Sequence, residues 1–124
     1  MDIIIEKTLG GKILNKVVLI GRLTKDAEFM QLDDGTRGVI KFILAVNRNF
    51  SNKNGEKDTD FISVVYWSNH AEKITAYLTK GKLIGISGKI ITRSYTEESG
   101  NKKYVTQVEA EGIQFLDSKK QSAV

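Results

Sequence analysis

No cysteine and no proline occur in the 124 residues, and histidine and tryptophan appear once each. Without thiols the chain has no disulfide framework, no thiolate nucleophile and no cysteine-ligated zinc. That composition fits the cytosol, where the protein is expected. His70 stands alone, and no compact acidic cluster shows metal-ligand spacing, so neither a metal nor a cofactor is expected. Long hydrophobic runs are also missing: no apolar stretch approaches membrane-spanning length, and no membrane association is expected. The N-terminal Met1-Asp2-Ile3-Ile4-Ile5-Glu6 has acids on both sides of a very short apolar run and no small-residue cleavage site, unlike a signal peptide. Neither sign of charge dominates. Lys+Arg 19 against Asp+Glu 15 gives a formal net charge of +4, which is compatible with a polyanionic partner without demanding one.

What is present reads as one domain, since 40% hydrophobic residues in a chain of this length can fill one core and not two. Strand-like segments surround a single helix. Residues 14–23, nearly continuous at Val17-Val18-Leu19-Ile20, read as a strand apolar on both faces, one of which is expected to meet a partner subunit. Polar turns follow at Lys25-Asp26 and Asp33-Asp34-Gly35, then a second strand over residues 39–48. Residues 49–58 break the pattern as a polar loop with an Asn-Gly turn signal, and they carry Phe50, Lys53 and Lys57, where a ligand could lie beneath them. A helix of about three turns is expected after Trp67. Asn69 and Glu72 form a capping-box-like start, Ala71, Ile74 and Leu78 recur at helical spacing, and Gly81 suits a left-handed end. Residues 82–95 form the next strand, in which Gly85 and Gly88 suit a bulge or strong coiling. A hairpin at residues 97–102 leads into the strand 104–116. There the apolar parity switches between Ala110 and Ile113, predicting a bulge near Glu111-Gly112.

The run Phe61-Ile62-Ser63-Val64-Val65-Tyr66-Trp67 carries the most chemical information. A period of two places Phe61, Ser63, Val65 and Trp67 on one strand face. Taken alone, Phe61 and Trp67 are ordinary core aromatics. Two large rings sharing a face with a small polar residue also make a platform on which nucleobases stack without their sequence being read. His70 is read as a surface helix residue.

Five strands with a helix between the third and fourth is the order of an OB-fold, an all-β, five-stranded Greek-key barrel whose open face and loops hold oligonucleotides. The blocks Leu14-Asn15-Lys16-Val17-Val18-Leu19-Ile20-Gly21-Arg22-Leu23, Leu44-Ala45-Val46-Asn47-Arg48, residues 60–67, Ala76-Tyr77-Leu78-Thr79-Lys80-Gly81, residues 88–95 and Tyr104-Val105-Thr106 closely resemble bacterial single-stranded DNA-binding proteins. The resemblance covers residues 14–117 with every block in order. It divides the chain into an N-terminal extension (1–13), the OB-fold domain (14–117) and a short polar tail (118–124).

The resemblance implies a nucleoid-associated homotetramer that binds and protects single-stranded DNA during replication, recombination and repair. It implies base contacts at Phe50, Phe61, Trp67 and Tyr95, and backbone contacts at Lys16, Arg22, Arg93 and Lys103, with Lys53, Lys57 and Lys80 as weaker candidates. Arg93 is favoured because it lies two residues from Tyr95 on the same strand face, where it could neutralise a phosphate beside a stacked base. Each of these cations could equally be a solvated surface charge. Tyr77 and Phe115 are read as core. The chain departs from the family pattern at Ala27, where proline is usual, and near Gln31, where an aromatic is expected, so the first DNA-facing hairpin is expected to bind less strongly. Ser118-Lys119-Lys120-Gln121-Ser122-Ala123-Val124 has no acidic tip, so tip-mediated recruitment of other proteins is not expected. The alternatives are a primosome-type accessory protein that bridges proteins on the same fold and, further off, an OB-fold nuclease.

Overall fold

A computed structural model describes residues 13–32 and 37–117. The N-terminal extension apart from Ile13, the turn at Asp33-Asp34-Gly35 and the basic tail lie outside the described residues. The elements are β1 Val17–Leu23, β2 Glu28–Gln31, β3 Gly38–Ser51, β4 Lys57–Ser68, α1 Ala71–Thr75, β5 Leu83–Thr96 and β6 Lys102–Phe115. The strands pair in the order β1-β5-β6-β4-β3-β2, and β1 also pairs with β3. That last pairing closes β1, β5, β6, β4 and β3 into the five-stranded barrel of an OB-fold. Residues 28–31, which the sequence reading passes over between two turns, form β2 on the outer edge of β3.

Closure follows from the apolar pattern. Leu23, Ile40, Phe42, Leu44, Val64, Ile84, Ile86, Val108 and Ala110 are buried together, with Val17, Leu19, Ile62 and Tyr66 partly buried against them. On β4 the even positions therefore face the core, and the odd positions Phe61, Ser63, Val65 and Trp67 face outward, as the period of two requires. The expected bulge is present. Ser87 pairs with Gly112 but Gly88 pairs with Ala110, leaving Glu111 as the extra residue. Gly88 is needed there because a Cβ would collide with the Glu109 carbonyl oxygen. Asn15 lengthens β1 by side chain: its Oδ1 accepts from the Ile90 N–H at 2.9 Å and its Nδ2 donates to the Ile90 carbonyl at 2.8 Å.

Several expectations need correction. The helix is five residues long, not three turns, and it starts after His70 with no side-chain cap. Beyond Thr75 the backbone turns through shorter bonds, Tyr77 N–H to the Ile74 carbonyl and Leu78 N–H to the Thr75 carbonyl, both 3.0 Å. Tertiary bonds then take over: Ala27 N–H donates to the Leu78 carbonyl and Lys80 N–H to Asp26 Oδ1. Leu78 is fully buried by this route, so its helical spacing from Ala71 signals burial and not a continuing helix. Gly81 does take the left-handed conformation, with φ of 86°.

Tyr77 is exposed, because the helix ends before it. Phe115 pairs opposite buried Ile84 but occupies the last position of β6, where it is 44% exposed and meets Tyr77 edge-on at 6.3 Å. Neither ring is core. The loop read over residues 49–58 is shorter than expected, since β3 runs to Ser51 and β4 begins at Lys57. β1 is apolar on both faces, yet only one is covered: Val18 and Ile20 are 69% and 59% exposed.

Candidate nucleic-acid interface

Register places the outward side chains of five strands on one surface. Val39 pairs with Trp67, Lys41 with Val65, Ile43 with Ser63 and Ala45 with Phe61 across β3 and β4. Met30 pairs with Val39, which brings β2 onto the same side. Across β5 and β6, Lys89 pairs with Glu109, Ile91 with Gln107, Arg93 with Val105 and Tyr95 with Lys103. Gln107 joins the two halves: it accepts from Arg93 Nε at 3.1 Å and donates to Ser63 Oγ at 3.3 Å. Ser63, the small polar residue between the two rings of β4, thus anchors the neighbouring strand.

These elements enclose a groove of about 220 Å³ lined by Met30, Leu32, Val39, Lys41, Val65, Trp67, Arg93 and Gln107. Val39 and Val65 form an apolar floor, both nearly fully buried. The Trp67 ring has a flat face for stacking, and Lys41 and Arg93 supply positive charge beside it. Such a groove can hold an apolar, planar group attached to an anion. Phe61 lines an adjacent depression of about 320 Å³ with Val17, Leu19, Ile62, Ile90 and Thr106, and Gln107 borders both.

The structure divides the expected site residues into groups. Trp67 and Arg93 share the groove, with Phe61 next to it. Tyr95 and Lys103 lie further out on the same face, on the hairpin arm where β5 and β6 pass beyond the barrel. Phe50, 75% exposed, with Lys53 and Lys57, belongs to the other arm, the tip of the β3–β4 hairpin. Lys16 sits 3.7 Å from Glu111 in an exposed ion pair. Arg22 is held elsewhere. It donates to the Gly81 carbonyl at 2.9 Å and pairs with Asp117 at 3.6 Å, on the outward row of β1 with Val18 and Ile20. Lys80 follows the helical turn, beside that same corner. The arrangement does not bring Arg22 and Lys80 into the groove with Trp67.

Lys41, Met30 and Gln107 were not foreseen, nor was Arg37, whose guanidinium lies over the Trp67 ring. β2 is four residues long, too short to signal itself by alternation, and without it nothing places Met30 beside Val39. Tyr104 is a further exposed ring, 73% exposed, with the Lys102 ammonium 5.9 Å from its centroid. It pairs with Ser94 and so faces away from Tyr95. Among the described residues, no group of three His, Cys, Asp or Glu side chains could hold a metal ion, and no helix is long and apolar enough to cross a membrane.

The model of the single-strand binding protein family matches residues 14–116, which is most of the chain. The chain belongs to the single-strand binding protein family. Among curated relatives, single-stranded DNA-binding protein A of Bacillus subtilis is 47% identical over 107 residues, 86% of this chain and 62% of the relative. A single-stranded DNA-binding protein of Clostridium tetani is 51% identical over 104 residues, 84% of this chain and 71% of the relative. Single-stranded DNA-binding protein 1 of Clostridium acetobutylicum is 42% identical over 109 residues, 88% of this chain and 99% of the relative. The chain thus spans a little over six tenths of the Bacillus relative and nearly all of the last. Every residue of the groove lies inside the span matched by the single-strand binding protein family.

Proposed function

We propose that the protein binds single-stranded DNA without sequence preference, stacking bases on Trp67, Phe61, Tyr95 and Phe50 and neutralising phosphates with Arg93, Lys41, Lys103 and the arm lysines Lys53 and Lys57. The observation that carries this reading is the single outward surface on which Trp67, Phe61, Arg93 and Tyr95 stand in register, with no base-reading element required. It acts as a binding protein and not as an enzyme, protecting single strands in replication, recombination and repair in the nucleoid-associated cytoplasm. Membership of the family supports this role. Lys16, Arg22 and Lys80 contribute less, because the first two are engaged by acids and Lys80 stands away from the groove.

Trp67 is the only tryptophan, so its emission reports the site directly. Titration with oligo-dT at two salt concentrations should quench it strongly, with affinity falling as salt rises. Trp67→Ala should cost about 1–3 kcal/mol per occupied site while leaving the fold intact. Unquenched emission at saturating DNA would overturn the assignment.

The exposed row Val18 and Ile20 supports self-association, with a homotetramer as the expected assembly. These residues border an open groove of about 340 Å³ with Ile86, Ile113 and Leu116, and a second copy would cover them.

A further inference from the structure

We infer that Arg37 is a nucleic-acid contact that guards Trp67 in the free protein and is exchanged onto a phosphate when a base takes its place. This deepens the reading above and rests on it. The Arg37 guanidinium carbon lies 5.8 Å from the Trp67 ring centroid. That is the outer range of a cation–π contact, about 6 Å, and at an exposed site such a contact is weak and easily given up. Among the described residues, no carboxylate lies within ion-pair distance of Arg37. Arg48 and Arg22, by contrast, are held by Asp60 and Asp117.

The backbone fixes where Arg37 stands. Its carbonyl accepts from the Leu32 N–H at 3.1 Å, and the next residue, Gly38, pairs with both Gln31 and Ser68. A Cβ at Gly38 would come within 2.5 Å of the Phe29 ring and 2.9 Å of the Met30 carbonyl oxygen, so close packing of β2 against β3 holds this corner. Arg37 shares outward parity with Val39 and Lys41, directly beside the position opposite Trp67. A base stacked on the ring face that Arg37 covers would need the space the guanidinium now fills. The displaced side chain has a flexible stem and a fork of donors suited to the phosphate of that same nucleotide or the next.

The test uses the full chain and three proteins: wild type, Arg37→Gln and Arg37→Lys. In the free state, Arg37→Gln should shift Trp67 emission, because the cation over the indole is removed. At saturating oligo-dT the emission of wild type and Arg37→Gln should converge, because DNA has displaced the guanidinium. The slope of log affinity against log salt should become shallower by about 0.7 in Arg37→Gln, one phosphate contact, and stay near wild type in Arg37→Lys. An unchanged slope in Arg37→Gln, or an emission difference that persists at saturation, overturns the exchange. Failure of wild-type Trp67 to quench at all would instead remove the binding surface itself, and this inference with it. Thermal melting of the three proteins checks that the fold is unaltered, as expected for an exposed side chain.

Discussion

The Arg48–Asp60 pair braces the root of the β3–β4 arm by charge and not by burial. Arg48 donates from Nε to Oδ2 at 3.2 Å and from Nη2 to Oδ1 at 3.0 Å, a two-pronged contact that fixes both planes. The hydrogen bond from Arg48, aided by its charge and opposed by partial desolvation, holds the Asp60 carboxyl below the ordinary carboxylate value. Because the folded-state value is lowered, the stabilisation is present above the unfolded-state value and is lost as pH falls through the folded one. Neutral and mildly acidic solutions should leave the arm root intact. An NMR titration should find Asp60 inflecting below an ordinary aspartate, and Arg48→Ala should return it upward. Such an exposed pair adds little to global stability, so the unfolding midpoint should scarcely move. Gly88 is the opposite case, a residue without functional atoms on which the fold depends. Gly88→Ala would press a methyl group into the Glu109 backbone, and by analogy with overpacked cores should cost about 1–3 kcal/mol in urea unfolding. An unchanged midpoint would mean that the bulge relaxes freely.

Among the elements, α1 is held by tertiary contacts and not by its own propensity. Five residues are far too few for an isolated helix. What fixes it is Ala71 and Leu78, both fully buried, together with the bonds from Ala27 and to Asp26 that follow it. Leu78→Ala should therefore destabilise by about 2–5 kcal/mol, whereas Glu72→Ala, which caps nothing here, should stay within about 0.5 kcal/mol. Comparable losses from the two substitutions would restore the capping-box reading. This helix also shows what the sequence could and could not reveal. Runs of β-forming residues made the long strands legible, a period of two picked out the outward row of β4, and the parity switch after Ala110 disclosed the bulge at Glu111. Spacing of buried residues is ambiguous where a chain is merely folded back on itself, so Ala71, Ile74 and Leu78 mimicked three helical turns. Tyr77 and Phe115 were misread for the same reason, since position within an element says nothing about whether the element has ended. The outward row on β4 was readable residue by residue, but its partners Lys41, Met30 and Gln107 depend on which strands become neighbours. Only the closed order of the barrel decides that.

At the scale of the whole molecule, the strand order sets the groove and the uncovered apolar row on different parts of the outward surface. The groove with Trp67 is built by β2, β3, β4, β5 and β6, while the uncovered apolar row lies on β1, which neighbours β5 and β3 but not β4. Val18 and Ile20 can therefore be covered by a second copy without closing the groove. Water contact with two β-branched side chains and the adjoining apolar groove is the cost that association would relieve. Sedimentation of the wild-type protein should give a mass well above 13.8 kDa, with four copies the expected endpoint. Ile20→Asp places a charge in the middle of that row and should lower the mass toward one copy. In such a variant, quenching of Trp67 by an oligonucleotide that occupies one protomer should persist. Affinity for long oligo-dT should fall by about two orders of magnitude or more, because protomers on one strand no longer raise one another's effective concentration. Equal loss on short and long DNA would mean that β1 contacts the nucleic acid itself, and a concentration-independent monomer in the wild type would refute the division altogether.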